Sequence, residues 1–460
     1  MVRGNGSPNA RGGGTAATPQ TSKPFLRRLT AATGGGMFLD GWVYASIAAV
    51  IAGQTFISDI GVGELGQGMI SASTLVGTLI GGLIIGYITD LAGRKPMFII
   101  DLCVFLVAAV LMFTVNSLWV VVVLGVSMGI AIGGDYSIGS PLLGEFTPAK
   151  KRGNYLGILE ILWNVGYVLA FLFGFLVLRS FPWAWHYVLA SAAVPAAIIL
   201  LLRHGLPESP RWLMSKGRTK EAQEVLEVAG ETRDAKEFAN ETEETTRWRT
   251  LFARDYVGRT VFCCVFWICI VLPYFGLTFF QAEILDTIGL ANPIAAAVLG
   301  TVVALIGATI GWFLVDRIGR RLLLIVPMFV TAMFLTVVAL HQVLHLPTGI
   351  TVVCFFGYLL FYGFMSILPG IYPIEVFPTA VRTSGEGVAS AASRLGAAVG
   401  TFVLPISLAQ FGLSMTLFGL AAVCLIGGIT SAWLAPETTG RPLTDTGGRA
   451  GAGRRRAAAA

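Results

Sequence analysis

Three carboxylates and one guanidinium stand inside stretches of this sequence that are otherwise apolar. Asp135 lies in GIAIGGDYSIGSPLLGEF, residues 129 to 146. Asp40 lies in MFLDGWVYAS, Glu160 in RGNYLGILEILWNVG and Arg394 in RTSGEGVASAASRLG. An ionised aspartate near the centre of a membrane helix costs about 2.5–3.5 kcal/mol on insertion scales. Groups kept at that cost face a bundle interior or a wet cavity. A carboxyl there can take up and release a proton. A guanidinium there offers a two-pronged fork to a carboxylate or phosphate.

Each residue has a competing role. Asp135 would equally serve as a protonated structural aspartate bonding a neighbouring helix. Asp40 would serve as an N-cap if TGGGMFLD were a loop and the helix began at Gly41. Glu160 and Arg394 lie at similar depth, two and three turns into their helices, and would form an ion pair that merely bridges two bundles. Repeat symmetry maps Arg394 onto Asn164, because 394 − 230 = 164. Asn164, Trp163 beside it, Tyr136, Gln281 and Tyr274 are the remaining candidates for contact with a small molecule. Tyr274 sits in LPYFG, where Pro273 is expected to break the helix. Non-helical backbone at that depth is tolerated only beside protein or a cavity.

The elements that must hold these groups follow from composition. Hydrophobic residues make up 55% of the 460 and charged residues 13%, against about 25% charged in a soluble domain. The chain therefore reads as an all-α integral membrane protein. A span needs about 20 apolar residues. Twelve such stretches lie near 31–57, 67–89, 96–115, 118–145, 153–179, 183–203, 260–284, 293–315, 322–343, 348–374, 383–409 and 413–435. The net charge of +6 is no nucleic-acid signal. Lys23, Arg27, Arg28, Arg94, Lys95, Lys150, Lys151, Arg152, Arg317, Arg320, Arg321 and Arg382 cluster in alternate loops, which predicts that both termini face the cytoplasm. The cysteines and histidines show no metal spacing and no enzyme signature stands out, so neither a metal nor a cofactor is expected.

The chain also repeats. Glu145 and Glu375 are 375 − 145 = 230 apart, and so are Arg152 and Arg382. DLAGRK matches DRIGRR, with Asp90 and Asp316 separated by 226, and PESPRW matches PETTG, with Glu208 and Glu437 separated by 229. Such order at nearly one offset marks a duplicated unit. The expected organisation is a polar tail over 1–30, a six-helix bundle over 31–203, a cytoplasmic linker with short helices over 204–258, a second bundle over 259–435 and a tail over 436–460.

GYITDLAGRK, DRIGRR, PESPRWL, PETTG and GGDY followed by GEFTP resemble motifs of the major facilitator superfamily, in its sugar-porter-like, metabolite:proton symporter branch. The resemblance covers about residues 36–440. It implies two pseudo-symmetric six-helix bundles, alternating access and proton-driven transport of a small molecule across a plasma membrane. It implies a proton role for Asp40, alongside Asp135 and Glu160. It also implies that Asp90, Arg94, Glu145, Arg152, Asp316, Arg320, Glu375 and Arg382 form inter-helix ion pairs that set the balance between states. The Gln-Leu and Gln-Gln pairs of sugar carriers are missing, and Val271 stands where phosphate carriers hold an aspartate. The expected cargo is a small organic anion, with the proton gradient as driving force, a lipid bilayer as setting and a monomer as the unit. A sugar or phosphate symporter, a proton-driven exporter of drugs or cations, and a non-transporting membrane sensor are the alternatives.

Overall fold

The structure, a computed structural model, describes residues 22–147, 152–230, 251–254, 256–377 and 382–439. Expectations for the outer parts of both tails, for the middle of the linker and for Lys150 and Lys151 lie outside them. The described side chains also exclude Asp90, Glu145, Arg152 and Arg382.

Among the described residues, eleven helices are long and apolar enough to cross a membrane. They begin with α1 (Lys23–Ala52), α2 (Glu64–Ala92), α3 (Arg94–Leu111), α4 (Leu118–Phe146) and α5 (Arg152–Ser180). The sixth span, α6, is Pro182–Arg203. The second set holds α7 (Val257–Phe279), α8 (Pro293–Ile318), α9 (Arg320–Ala339) and α10 (Thr348–Met365). The last, Arg382–Leu434, runs for 53 residues with one non-helical residue, Gly412, at φ 75°. At about 1.5 Å per residue it would reach about 80 Å, more than twice a bilayer core of about 30 Å. It therefore crosses twice, as α11 before Gly412 and α12 after it. The twelve spans form two six-helix bundles.

Two sequence expectations change. α1 begins at Lys23, so Asp40 lies 17 residues inside a helix and is no N-cap. α7 runs through Pro273 and bends away at Phe280, where φ is −115° and ψ is 16°. A proline removes one N–H, and bonds on either side of it can keep the helix going.

Small residues set the helix spacing. A Cβ at Gly77 would strike the backbone carbonyl of Val126, and one at Gly133 that of Thr78, so α2 and α4 touch backbone to backbone. Gly307 meets the carbonyl of Leu360 and Gly363 that of Ala304, joining α8 to α10. These pairs lie 307 − 77 = 230 and 363 − 133 = 230 apart, so the duplication is carried by packing as well as by charge. α1 and α5 meet likewise, Gly41 against the Trp163 carbonyl and Gly166 against that of Phe38. The bundles touch each other along α2 and α11, where the Ser71 hydroxyl donates to the Thr401 carbonyl at 3.2 Å, and along α5 and α8, where Gly157 abuts Trp312.

The face that carries the termini is tied by two equivalent clasps. Gly93 and Gly319, at φ 103° and 91°, make the sharp turns from α2 to α3 and from α8 to α9. The first amides of α3, those of Arg94 and Lys95, donate to Glu208 at 2.9 and 3.0 Å. The first amides of α9, those of Arg320 and Arg321, donate to Glu437 at 3.2 and 3.1 Å. A carboxylate thus satisfies orphan N–H groups at a positive helix end. The Arg320 guanidinium reaches Asp316 at 2.9 Å and Glu375 at 3.0 Å. Glu375 also accepts from the Thr438 hydroxyl.

Two predictions follow from this packing. Gly77→Ala should destabilise the protein by about 1–3 kcal/mol, the usual range for overpacking. Gly144→Ala, which meets open space, should be neutral or stabilising; thermal unfolding in detergent compares them. Burial pushes the Glu437 carboxyl up, but the hydroxyl and amide of Thr439 and the amides of Arg321 and Arg320 outweigh it and hold the group below the ordinary range. Its contribution is present above the unfolded value of about 4.3 and fades as pH falls through the lower folded value. Glu437→Gln should therefore be less stable than the parent at neutral pH. The gap should narrow below about pH 4, and a gap constant with pH would refute the clasp.

Candidate functional site

The polar centre is built on Asp40, which is 1% exposed. Its Oδ2 accepts from the Tyr136 hydroxyl at 2.5 Å and from the Trp163 indole N–H at 2.9 Å. Three helices therefore converge on one oxygen. The contact of Gly41 with the Trp163 carbonyl brings α1 close enough to α5 for the indole to reach. The other oxygen, Oδ1, is buried and has no hydrogen-bond partner. An unsatisfied buried carboxylate oxygen is costly, which makes Oδ1 the natural place for a proton or a ligand.

Arg394 enters from the other bundle. Its guanidinium carbon lies 4.5 Å from the centroid of the Tyr136 ring, a cation–π contact. The ring that orients Asp40 is thus also the shelf for the arginine. Among the described residues, no carboxylate comes within ion-pair distance of Arg394. The bridging Glu160–Arg394 ion pair weighed from the sequence is therefore not formed in this state. Glu160 stays within electrostatic reach of both Arg394 and Asp40. Its Oε1 is 3.8 Å from where a Cβ at Gly370 would sit. Asn164 is buried and donates to the Glu160 carbonyl at 2.9 Å, so part of its amide is spent on its own helix.

Aromatic rings close the centre on the side away from the termini. Tyr44 packs on Phe275 at 5.3 Å and on Phe279 at 6.2 Å. The Tyr167 hydroxyl donates to the Thr278 carbonyl at 3.4 Å. Tyr274 and Tyr362 stack in parallel at 3.7 Å, and Trp163 lies 6.4 Å from Tyr274. Tyr136, Glu160 and Arg394 keep partial exposure, whereas Tyr44, Tyr167, Tyr274, Phe275 and Phe279 are buried. The bundles meet across this plug, and the polar groups lie on its terminal side.

Two sequence candidates are placed elsewhere. Gln281 follows the bend at Phe280 and donates to the Ala297 carbonyl at 3.1 Å, so it serves the packing of α8 within its own bundle. Asp135, one residue before Tyr136, leaves α4 about 100° away from it and lies against Gly36 of α1. It receives the Arg203 guanidinium at 2.5 Å instead of meeting Asp40 in the cavity. The same Arg203 lies 3.8 Å from Asp101. Asp101 and Arg203 were legible in principle: one is an acid inside the apolar stretch of α3, and the other closes the apolar run of α6.

The chain matches the family model described as sugar (and other) transporter over residues 28–447. It is 37% identical over 432 residues to the inner membrane metabolite transport protein YgcS of Escherichia coli, covering 93% of this chain and 95% of that one. It is 34% identical to the putative metabolite transport protein YaaU of the same organism, covering 91% and 94%. Among solved structures, a partially occluded inward-open form of the xylose transporter XylE from E. coli superposes with a TM-score of 0.76 at 20% identity, covering 91% of this chain and 100% of that one. The protein belongs to the sugar (and other) transporter family and is a multi-pass membrane transporter of the major facilitator superfamily.

Proposed function

We propose that the protein is a proton-coupled symporter that imports a small organic anion, a carboxylic acid with a planar ring, by alternating access, with both termini in the cytoplasm. The observation that carries this reading is Arg394: a half-buried guanidinium on an aromatic shelf, facing the junction of the bundles, with no protein carboxylate paired to it among the described residues. A cargo carboxylate supplies the missing partner as a two-pronged ion pair. The parallel Tyr274–Tyr362 stack and Trp163 offer flat faces to a ring beside it. Asp40 and Glu160, within electrostatic reach of each other, form one centre that carries one proton, and the gradient is the only driving force required. A relative in Bacillus subtilis, 26% identical, is named a putative niacin/nicotinamide transporter, which fits a ring acid.

A sugar is the second reading. The family model supports it, and so do relatives named glucose transporter GlcP of Staphylococcus epidermidis and arabinose-proton symporter of B. subtilis, each 25% identical. Uptake into proteoliposomes under an imposed proton gradient, with labelled nicotinate, benzoate, glucose and xylose, separates the two. Accumulation of a hexose or pentose with no response to the acids would end the anion reading.

Two variants test the residues. Arg394→Ala should weaken anion affinity by about tenfold to a hundredfold, the value of a lost charge-assisted contact, and Arg394→Lys should recover part of it. Asp40→Asn should abolish accumulation driven by the proton gradient while keeping exchange of cargo across the membrane. Full gradient-driven uptake by Asp40→Asn would remove that carboxyl from the proton cycle.

A further inference from the structure

Arg203, Asp101 and Asp135 form a charged cluster inside the first bundle, apart from the junction where Arg394 sits. The Arg203 side chain is 1% exposed, that of Asp101 2% and that of Asp135 16%. Arg203 is fully engaged. One Nη donates to Asp135 at 2.5 Å, the other donates to the Phe98 carbonyl at 3.1 Å, and Nε donates to the Ala32 carbonyl at 3.4 Å. The guanidinium carbon also lies 3.6 Å from the Phe98 ring centroid. Asp101 is held more loosely, and its Oδ2 is buried without a hydrogen-bond partner. Two acids thus share one cation inside the bundle. Fully ionised, the cluster would keep a net negative charge there, which is among the costliest arrangements a bundle can hold.

The geometry points to a second proton-binding centre, at the Asp101–Asp135 pair on Arg203, which carries one proton in addition to the one handled at Asp40; this deepens the symport reading and rests on it. Its position fits a path. A Cβ at Gly36 would strike the Asp135 carboxylate, so Asp135 lies against α1 at residue 36. Asp40 is four residues on, one turn of the same face, about 6 Å nearer the middle of the bilayer. The two centres are joined by the single step from Asp135 to Tyr136, whose hydroxyl donates to Asp40. Beyond its own three, the titratable group within electrostatic reach of the cluster is Asp40; Arg28 and His204, toward the terminal face, are exposed, and Arg28 donates to the His204 carbonyl. None of these supplies a second cation to the buried Asp101.

A monoanion moved with one proton carries no net charge and ignores the membrane potential. Moved with two, the complex carries one positive charge, and each such charge is worth about 2.3 kcal/mol per 100 mV. The second centre therefore makes uptake electrogenic.

The test uses Asp101→Asn, which keeps the shape and leaves Arg203 with one acid. Infrared difference spectra of the purified full-length protein, taken across an acid-to-neutral pH step, should show one protonated-carboxyl band fewer than the parent. Asp135→Asn should lose the same band, and Asp40→Asn should retain it. In proteoliposomes loaded for nicotinate uptake, the ratio of protons to nicotinate should fall by half in Asp101→Asn. Uptake should also lose its response to an imposed potassium-diffusion potential. An unchanged band set overturns the proposal, as does an unchanged ratio with an intact potential response. If none of the acids tested is transported, the anion reading fails by itself, and the infrared comparison still decides the second centre.

Discussion

One oxygen atom organises the centre of this transporter. Oδ2 of Asp40 takes a hydroxyl from α4 and an indole N–H from α5 while standing on α1. A buried carboxylate that lost either donor would be left still less compensated, and such a loss costs more than the net worth of the bond itself. The three helices are therefore held at one spacing by a polar contact as well as by packing. Tyr136 then passes this constraint to the second bundle, because its ring carries Arg394. Any change of charge at Asp40 is felt by the ring, and any shift of Arg394 is felt by Asp40. Linkage of a proton to a ligand needs such shared elements.

The bundles themselves are built to be stiff. Backbone meets backbone at α2 with α4 and at α8 with α10, and the same glycines recur 230 residues apart. Helices that close leave little room to slide. Movement is left to the surfaces between the bundles, where α2 faces α11 and α5 faces α8, and to the aromatic plug of Tyr44, Phe275 and Phe279. Packed interiors that are discrete rather than deformable convert a local charge change into a rigid displacement.

Much of this was legible in the residues. Apolar length, the alternation of basic loops and the duplicated motifs fixed the class, the helix count and the pairing of halves. Acids and an arginine in apolar runs marked Asp40, Glu160 and Arg394, and the structure brings all three to one junction. What failed was direction. Asp135 and Tyr136 are neighbours in sequence and leave α4 about 100° apart: Tyr136 reaches the junction and Asp135 meets Arg203 inside its own bundle, and no spacing rule says which. Pro273 looked like a helix breaker, yet the bend came seven residues later because flanking bonds carried the helix past it. Asp101, inside the apolar stretch of α3, carried the same signal as the other acids and was overlooked, and Arg203, closing the run of α6, is unremarkable until a partner is seen.

The two clasps at the terminal face also set an order of assembly. α3 waits for Glu208, 114 residues after its first amide, and Glu208 leaves the ribosome before the second bundle begins. α9 waits for Glu437, 117 residues after its own start and beyond the last span. During synthesis, the earlier unit can fasten itself while the later one is still being made. The later unit stays unlatched until the segment beyond its last span has emerged, which makes it the half more dependent on the insertion machinery.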